Sequence, residues 1–249
     1  MNSYGKLSTA FYDLDKPHPP PDALAFYSQH AHAAGGPILE PMCGSGRFLI
    51  PMLQEGFDIS GVDTSPDMLA ACRQRAGLLG LSPRLYQQSL HQLVLPDLYR
   101  FVMIPAGSFC LLTDPQEASK SLVRIFHAMA PGATFAVEID QWRPPQEETP
   151  PGDLRFVELQ EGSRIIMHSF GELDAAGRLY QGRNRYDLIQ ADQILETEWE
   201  DFNLRYYLPE DFSSLLTKAG FTNIRHHSAY NPAQPVDQSE SLVFICTRP

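Results

Sequence analysis

Short apolar runs alternate with helical patterns through the first 140 residues, and that alternation predicts a parallel sheet with crossover helices. Pro37 to Pro41 reads as a first buried strand, followed by a helix from Arg47 to Gln54 that starts just after a Gly-Ser-Gly turn. Asp58 to Asp63 makes a second strand. Ser65-Pro66-Asp67 then opens a helix with a cap residue and a proline at the first helical position. A third strand is expected at Arg84 to Gln88 and a fourth at Tyr99 to Ile104. A helix from Pro115 to Ala130 ends at Pro131-Gly132, and a fifth strand runs from Thr134 to Asp140.

After Asp140 the period changes. Arg155 to Leu159, Arg164 to Phe170, Leu179 to Leu188 and Gln193 to Asn203 alternate as antiparallel strands, with turn signals at Glu161-Gly162 and Ala176-Gly177. The α/β pattern resumes with a helix from Pro209 to Ala219 closed by Gly220, then strands at Thr222 to Tyr230 and Ser241 to Thr247. The linker Asn231 to Pro235 is too short for a helical crossover, so the last two strands should pair antiparallel. The expected organisation is a core formed by 1–140 and 206–249, with 141–205 inserted as a β-rich block that roofs a pocket or forms a dimer face. Proline-rich patches stand at 17–21 and 144–151, and there is no internal repeat.

Composition narrows the function classes. The 249 residues, 43% hydrophobic, can bury one sizeable core. Nineteen Lys and Arg against 30 Asp and Glu give a net charge of −11, whose field would repel nucleic acid. No stretch approaches the roughly 18 to 20 apolar residues of a membrane span, and the first residues lack a basic-then-apolar leader, so a cytoplasmic protein is expected. Cysteines at 43, 72, 110 and 246 lack metal-site spacing, and no metal or disulfide is expected. His226-His227 is left out of the site, because neighbours on a strand point to opposite faces.

The turn after the first strand, Glu40-Pro41-Met42-Cys43-Gly44-Ser45-Gly46, carries the strongest chemical signal. Glycine lets the backbone approach a ligand and take positive φ, while a helix start offers unpaired N–H groups. Asp63 ends the next strand, 17 residues past Gly46, where a carboxylate can accept both hydroxyl hydrogens of a ribose. Alone, the first segment could be a tight turn and Asp63 a helix cap. Together they suit a nucleotide-like ligand over the carboxyl ends of a doubly wound sheet.

These segments resemble motif I and the acidic motif of class I S-adenosylmethionine-dependent methyltransferases. Gly61 to Leu69 is similar to the family's second-strand end, Phe101 to Leu111 to its fourth-strand motif, and Leu122 to Val137 to its fifth-strand approach. The likeness returns in Arg205 to Phe212 and Ala219-Gly220-Phe221. It implies an α/β fold with a doubly wound, mostly parallel, seven-stranded Rossmann-like sheet, its last strand antiparallel beside the fifth, and an antiparallel β insertion after strand five. It also implies S-adenosyl-L-methionine as cofactor. Glu40, Met42, Gly44 and Gly46 would line the methionine end and Asp63 the ribose. Thr64 and Met68 would surround the adenine, with Ser89, Leu90 and Ile104 completing the site. Met42 stands where the family usually has its first glycine, and Ser89 where many members carry an Asp toward the adenine amine.

The implied reaction is in-line methyl transfer to an N or O atom of a small molecule, in which the protein mainly aligns the partners and keeps water out. An amine acceptor need only arrive neutral, whereas a hydroxyl needs a base, and none is obvious. The candidate catalytic groups are Tyr12, Ser108 and Tyr206. Tyr4 and Tyr12 lie in an N-terminal segment similar to the cofactor-covering lid of small-molecule N-methyltransferases, so Tyr12 also counts as a cofactor contact. Tyr4, Phe109, Arg183 and Arg205 are the substrate candidates, with Arg185 a further insertion residue, although arginine on an exposed sheet face is ordinary. The expected partner is a small-molecule acceptor, with no nucleic acid or membrane, and the chain is a monomer or homodimer. Two other functions stay open: a cofactor-binding regulatory or scaffold protein of this fold, and an NAD(P)-dependent oxidoreductase. The latter's fingerprint would need glycine where Leu49 stands.

Overall fold

The computed structural model describes residues 4–144, 153–230, 235, 236 and 239–249. Most of the proline-rich run at 144–151 and of the linker at 231–235 lies outside the described residues. The chain opens with two helices, α1 (Lys6–Asp15) and α2 (Pro21–Ala34). The α/β core follows as β1 (Ile38–Pro41), α3 (Leu49–Gln54), β2 (Ile59–Asp63), α4 (Pro66–Leu78), β3 (Arg84–Gln87), β4 (Tyr99–Ile104), α5 (Pro115–Ala128) and β5 (Met129–Asp140). Then come β6 (Asp153–Glu158), β7 (Ser163–Asp174), β8 (Leu179–Gln190) and β9 (Gln193–Arg205). The chain closes with α6 (Pro209–Lys218), β10 (Thr222–Ser228) and β11 (Ser241–Thr247).

The main sheet has the order β10-β11-β5-β4-β1-β2-β3. Its strands are parallel except β11, which runs antiparallel to both β5 and β10. The chain grows outward from β1 to β3 and then crosses back to β4, so the strand order reverses between β1 and β4. A crevice opens beyond the carboxyl ends of strands at such a reversal. Two apolar clusters cover the two faces of the sheet, one around Leu39, Val102, Phe135 and Phe244, the other around Ile38, Phe101, Met103 and Ala136. Burial on both faces is why β1 is apolar nearly throughout instead of alternating.

The second sheet, β6-β7-β8-β9, is wholly antiparallel. Both of its connections to the core leave from one spot: Gln141 bridges Tyr207, and the Trp142 N–H donates to the Tyr207 carbonyl at 2.8 Å. No helix among the described residues is long and apolar enough to cross a membrane.

Four elements, α1, α2, α3 and β5, depart most from the sequence expectation. Neither α1 nor α2 stands out by strong amphipathic period, yet α2 carries Pro21 in its first turn and Gly35 at its C-cap with φ 57. Helix α3 starts at Leu49 instead of Arg47, because Gly44 and Gly46 at φ 52 and 83 hold the chain out of helical geometry until Phe48. Strand β5 starts at Met129 instead of Thr134. Tyr99 pairs with Met129 and Phe101 with Thr134, and Gly132 at φ 76 sits in the bulge that takes up the extra residues.

Candidate active site

The carboxyl ends of β1 and β2 deliver two carboxylates to the crevice. Asp63 brackets the glycine turn, its two oxygens accepting the N–H groups of Gly44 at 2.8 Å and Ser65 at 2.9 Å. A carboxylate has about four acceptor positions, so those facing outward stay available. Burial raises the Asp63 pKa, and the backbone N–H groups of Ser65, Gly44 and Thr64 oppose that rise. Glu40 is only 2% exposed, and its Oε2 has no hydrogen-bond partner. Burial first, then the Asp63 charge, pushes its carboxyl well above the usual range, against a backbone N–H from Leu49. An orphaned buried carboxylate oxygen is costly unless a donor or a cation comes to meet it.

The turn separates its two glycines by role. Gly44 is half-buried, and a Cβ there would meet only the Met68 sulfur, at 3.6 Å. Gly46 does not line the crevice as expected. A Cβ on it would sit 2.6 Å from the Cys72 sulfur and 2.9 Å from Ile50, and its N–H and carbonyl are spent on Cys43 and Ile50. Gly46 therefore lets α3 and α4 approach each other. Met42 adopts φ 60, the conformation of the glycine it replaces. Met68 is buried beneath Gly44 as the floor of the turn, its N–H capped by Ser65, while Thr64 is exposed at the rim.

Other expected residues scatter. Ser89 is half-buried at the end of β3, whereas Leu90 is 4% exposed within the core cluster. Ile104 and Phe109 are fully buried in the core, Phe109 packing edge-on against Phe212 at 5.3 Å. The loop between them, Pro105-Ala106-Gly107, faces the crevice end of β4, with the Ser108 hydroxyl folded back onto the Pro105 carbonyl at 3.0 Å. Arg183 lies on the outer face of the second sheet, over Trp199 at 5.1 Å and paired with Asp201 at 3.3 Å, and contributes nothing to the site. Arg185 shares that outer face, over Trp199 and ion-paired with Asp187. Arg205 braces the insertion against the core through the Thr113 carbonyl at 2.8 Å. Tyr206 stays near the crevice, its pKa raised by burial and then by the Asp140 charge.

Helix α1 crosses the crevice. Leu7 and Phe11, one turn apart, pack on Val157, Ile165, Met167 and Tyr186 of the second sheet. Glu198 accepts the N–H groups of Leu7 and Ser8, each at 2.9 Å, and so caps the first turn with an anion. On the core side Asp13 holds Arg75 at 2.9 Å and accepts a very short hydrogen bond from Ser45 of the glycine turn, and Arg47 donates to the His18 carbonyl at 2.8 Å. This clasp brings Tyr4 and Tyr12 over the carboxylates, with ring centroids 5.9 Å apart. The Ser65 hydroxyl donates to the Tyr4 carbonyl at 2.5 Å. Burial raises the pKa of both phenols, with Glu200, Tyr12 and Asp63 adding to the rise at Tyr4. Glu200 faces this space from β9, 4% exposed and bonded to the Tyr186 hydroxyl at 2.8 Å.

Sequence reasoning missed Asp13, Ser45, Arg47, Arg75, Glu198 and Asp140. Ser45 lies inside the glycine turn but its partner Asp13 was not readable, and Asp13, Arg47, Arg75 and Glu198 carry no motif, because a clasp between segments far apart in sequence leaves no spacing to read. Asp140 ends a strand as Asp63 does, and the same rule could have found it. A separate cleft of about 580 Å³ lies between α2 and β10, lined by Phe26, His30, His226, His227 and Tyr230, and shares no residue with the crevice. His226 stacks on Phe244 at 4.8 Å and His227 packs on Phe26 at 5.5 Å. All four cysteines are buried and free, and no group of three or more metal-ligating side chains occurs among the described residues.

The family described as "Methyltransferase domain" matches residues 38–132, which hold the glycine turn, both carboxylates and β4. A putative methyltransferase of Bacillus subtilis, YqeM, is 23% identical over 235 residues, covering 94% of this chain and 92% of the relative. The crystal structure of an S-adenosylmethionine-dependent methyltransferase from Clostridium acetobutylicum superposes with a TM-score of 0.77 at 16% identity, covering 95% of both chains. The sugar N-methyltransferase KedS8 from Streptoalloteichus gives 0.74 at 20% identity, covering 100% of this chain and 96% of its own. At these identities the solved structures establish the fold.

Proposed function

We infer that this chain, which shares the fold of S-adenosylmethionine-dependent methyltransferases and matches a methyltransferase domain over residues 38–132, uses S-adenosylmethionine to methylate an N or O atom of a small molecule. The observation that carries the reading is the Asp63–Gly44 bracket beside the orphaned Glu40 oxygen, set where the strand order reverses. The donor set fits S-adenosylmethionine. The Glu40 oxygen suits the ammonium of the methionine part, the outward lone pairs of Asp63 suit the ribose hydroxyls, and Gly44 leaves room for the chain between them. Thr64 at the rim and Ser89 beyond β3 suit the adenine edge.

The bound cofactor supplies a methyl group already activated on a sulfonium. The chain's own residues bind it, orient the acceptor and exclude water. Exclusion falls to α1, which spans from the glycine turn to the second sheet, so the acceptor would approach between core and insertion. An approach of this kind fits a small molecule, and the net charge of −11 disfavours a polyanion. The likeness to a sugar N-methyltransferase supports the same class of acceptor.

Isothermal calorimetry with S-adenosylhomocysteine tests the reading. Binding is expected, and Asp63→Ala should weaken it by about 1–3 kcal/mol through loss of charge-assisted hydrogen bonds. No heat with the unaltered protein would overturn the assignment.

A further inference from the structure

We propose that Asp140 receives the methyl acceptor as an amine, holding its ammonium at the mouth of the crevice and accepting one of its protons. This rests on the reading of the crevice as a methyl-transfer site and adds the acceptor's chemical class and the residue that recognises it.

Asp140 is the last residue of β5, three residues past the Val137–Ile104 pair that ends the ladder with β4, and so stands at the carboxyl edge of the sheet. Its carboxylate lies against Gly107 in the loop after β4. A Cβ on Gly107 would come within 3.0 and 3.2 Å of the two oxygens, and that glycine sits at φ 66, so the position is open to the carboxylate because no side chain fills it. The Asp140 N–H is spent on the Cys110 sulfur at 3.2 Å and its carbonyl on the Tyr207 N–H at 3.2 Å. Among the described residues the carboxylate itself takes part in no hydrogen bond and no ion pair. A partly buried carboxylate with all its acceptor positions unspent calls for a cationic donor.

The groups facing it point the same way. Glu138 lies on the same strand and Glu240 precedes β11, while Lys16 follows α1 and opposes them; Tyr206 follows β9 and Cys110 lies beyond β4. Two acids and one lysine around a third acid leave the neighbourhood short of positive charge. Burial, then Glu138 and Glu240, push the Asp140 pKa up to about 6, with Lys16 opposing. At neutral pH the group is ionised and can pair with an ammonium, yet it is basic enough to share the proton.

The step balances simply. One N–H bond of the ammonium breaks and an O–H bond forms on Asp140; the electron pair stays on nitrogen, which gains the lone pair that a methyl acceptor needs. Ammonium and carboxylate become amine and carboxylic acid without change in net charge, and the proton leaves through the exposed side of Asp140. A neutral alcohol would gain little, since a carboxylate of this basicity holds no charge-based advantage for it.

The test is an NMR titration of the protein, saturated with S-adenosylhomocysteine and labelled with carbon-13 at aspartate carboxyls, using cyclohexylammonium and its neutral counterpart cyclohexanol. The Asp140 signal is identified by its absence in Asp140→Asn. The ammonium should bind at least tenfold more tightly than the alcohol, shift the Asp140 signal, and lose affinity as pH falls through about 6, where the carboxylate becomes protonated. Asp140→Asn should abolish the preference while S-adenosylhomocysteine affinity stays unchanged. Equal binding of the two probes, binding of neither, or a preference that survives in Asp140→Asn would overturn the proposal. Absence of S-adenosylhomocysteine binding is read separately by calorimetry and would remove the parent reading together with this one.

Discussion

Three acids close the carboxyl edge of the sheet, and each is set apart by its surroundings. Among the described residues Glu40 is buried with one oxygen orphaned, Asp63 accepts two backbone N–H groups and keeps its outward positions, and Asp140 is half-buried with its oxygens unbonded. The Asp140 environment has a stability consequence that needs no ligand. Its folded pKa of about 6 lies above the ordinary 3.8, so ionisation opposes folding: the benefit of staying protonated is complete below pH 4 and is lost as pH rises through about 6. Asp140→Asn should therefore be more stable than the parent at pH 8, the gap closing by pH 4, as read by urea unfolding at both pH values. The glycine turn makes two further expectations. Gly46→Ala forces a Cβ into Cys72 and Ile50 at φ 83 and should cost about 2–4 kcal/mol. Met42→Gly removes the strain of a side chain at φ 60 but adds freedom to the unfolded chain, so the net change should stay within about 1 kcal/mol. A loss at Met42→Gly equal to that at Gly46→Ala would contradict this division of roles.

At the scale of elements, α1 is the part that joins the glycine turn to the second sheet. Two buried side chains, Leu7 and Phe11, dock it on the second sheet, worth roughly 1.5–3 kcal/mol each when fully buried. The Glu198 cap and the Asp13–Arg75–Ser45 clasp secure its two sides. On the proposed reading a cofactor enters when this helix lifts, so its opening should be cheap compared with global unfolding. Hydrogen exchange should show the amides of 7–15 exchanging faster than those of β4. Glu198→Ala should speed them further, by about fivefold for a cap worth about 1 kcal/mol. Unchanged exchange would mean the apolar contacts alone hold the helix.

For the whole molecule, the seven-stranded sheet is the rigid body, and the second sheet and α1 are mounted on its carboxyl edge. A ligand that bridges β1, β2 and the lid stabilises all three parts at once. At 100 times its dissociation constant, S-adenosylhomocysteine should add about 2.7 kcal/mol and raise the melting temperature by roughly 5–10 °C. Differential scanning calorimetry reads this directly, and no shift at saturation would conflict with the crevice as the binding site.

The strand pattern and the acid ending the second strand were legible because each rests on local rules: buried parallel strands are apolar, helices start at Ser65-Pro66 and Asp114-Pro115, and an acid ends the second strand. The four strands of the second sheet were legible in outline, since alternation along a strand survives without knowing its neighbours, whereas their register came from the structure. The two N-terminal helices were not, because α1 draws its order from β6–β9 and Arg75, far along the chain, instead of from its own propensity. Phe109 and Arg183 show the complementary failure: a position in a motif or on a strand does not say which way the side chain is buried.

Sequence by itself determined the succession of strands and helices from residue 37 onward and the glycine turn with an acid one strand away, since those follow from the chain's own periodicity and from short-range turn chemistry. Only the tertiary structure decided which glycine serves the ligand and which serves packing, where the lid docks, and that Asp140 keeps its carboxylate free beside Gly107. Such properties depend on distances between residues remote in sequence, and no local pattern carries those distances.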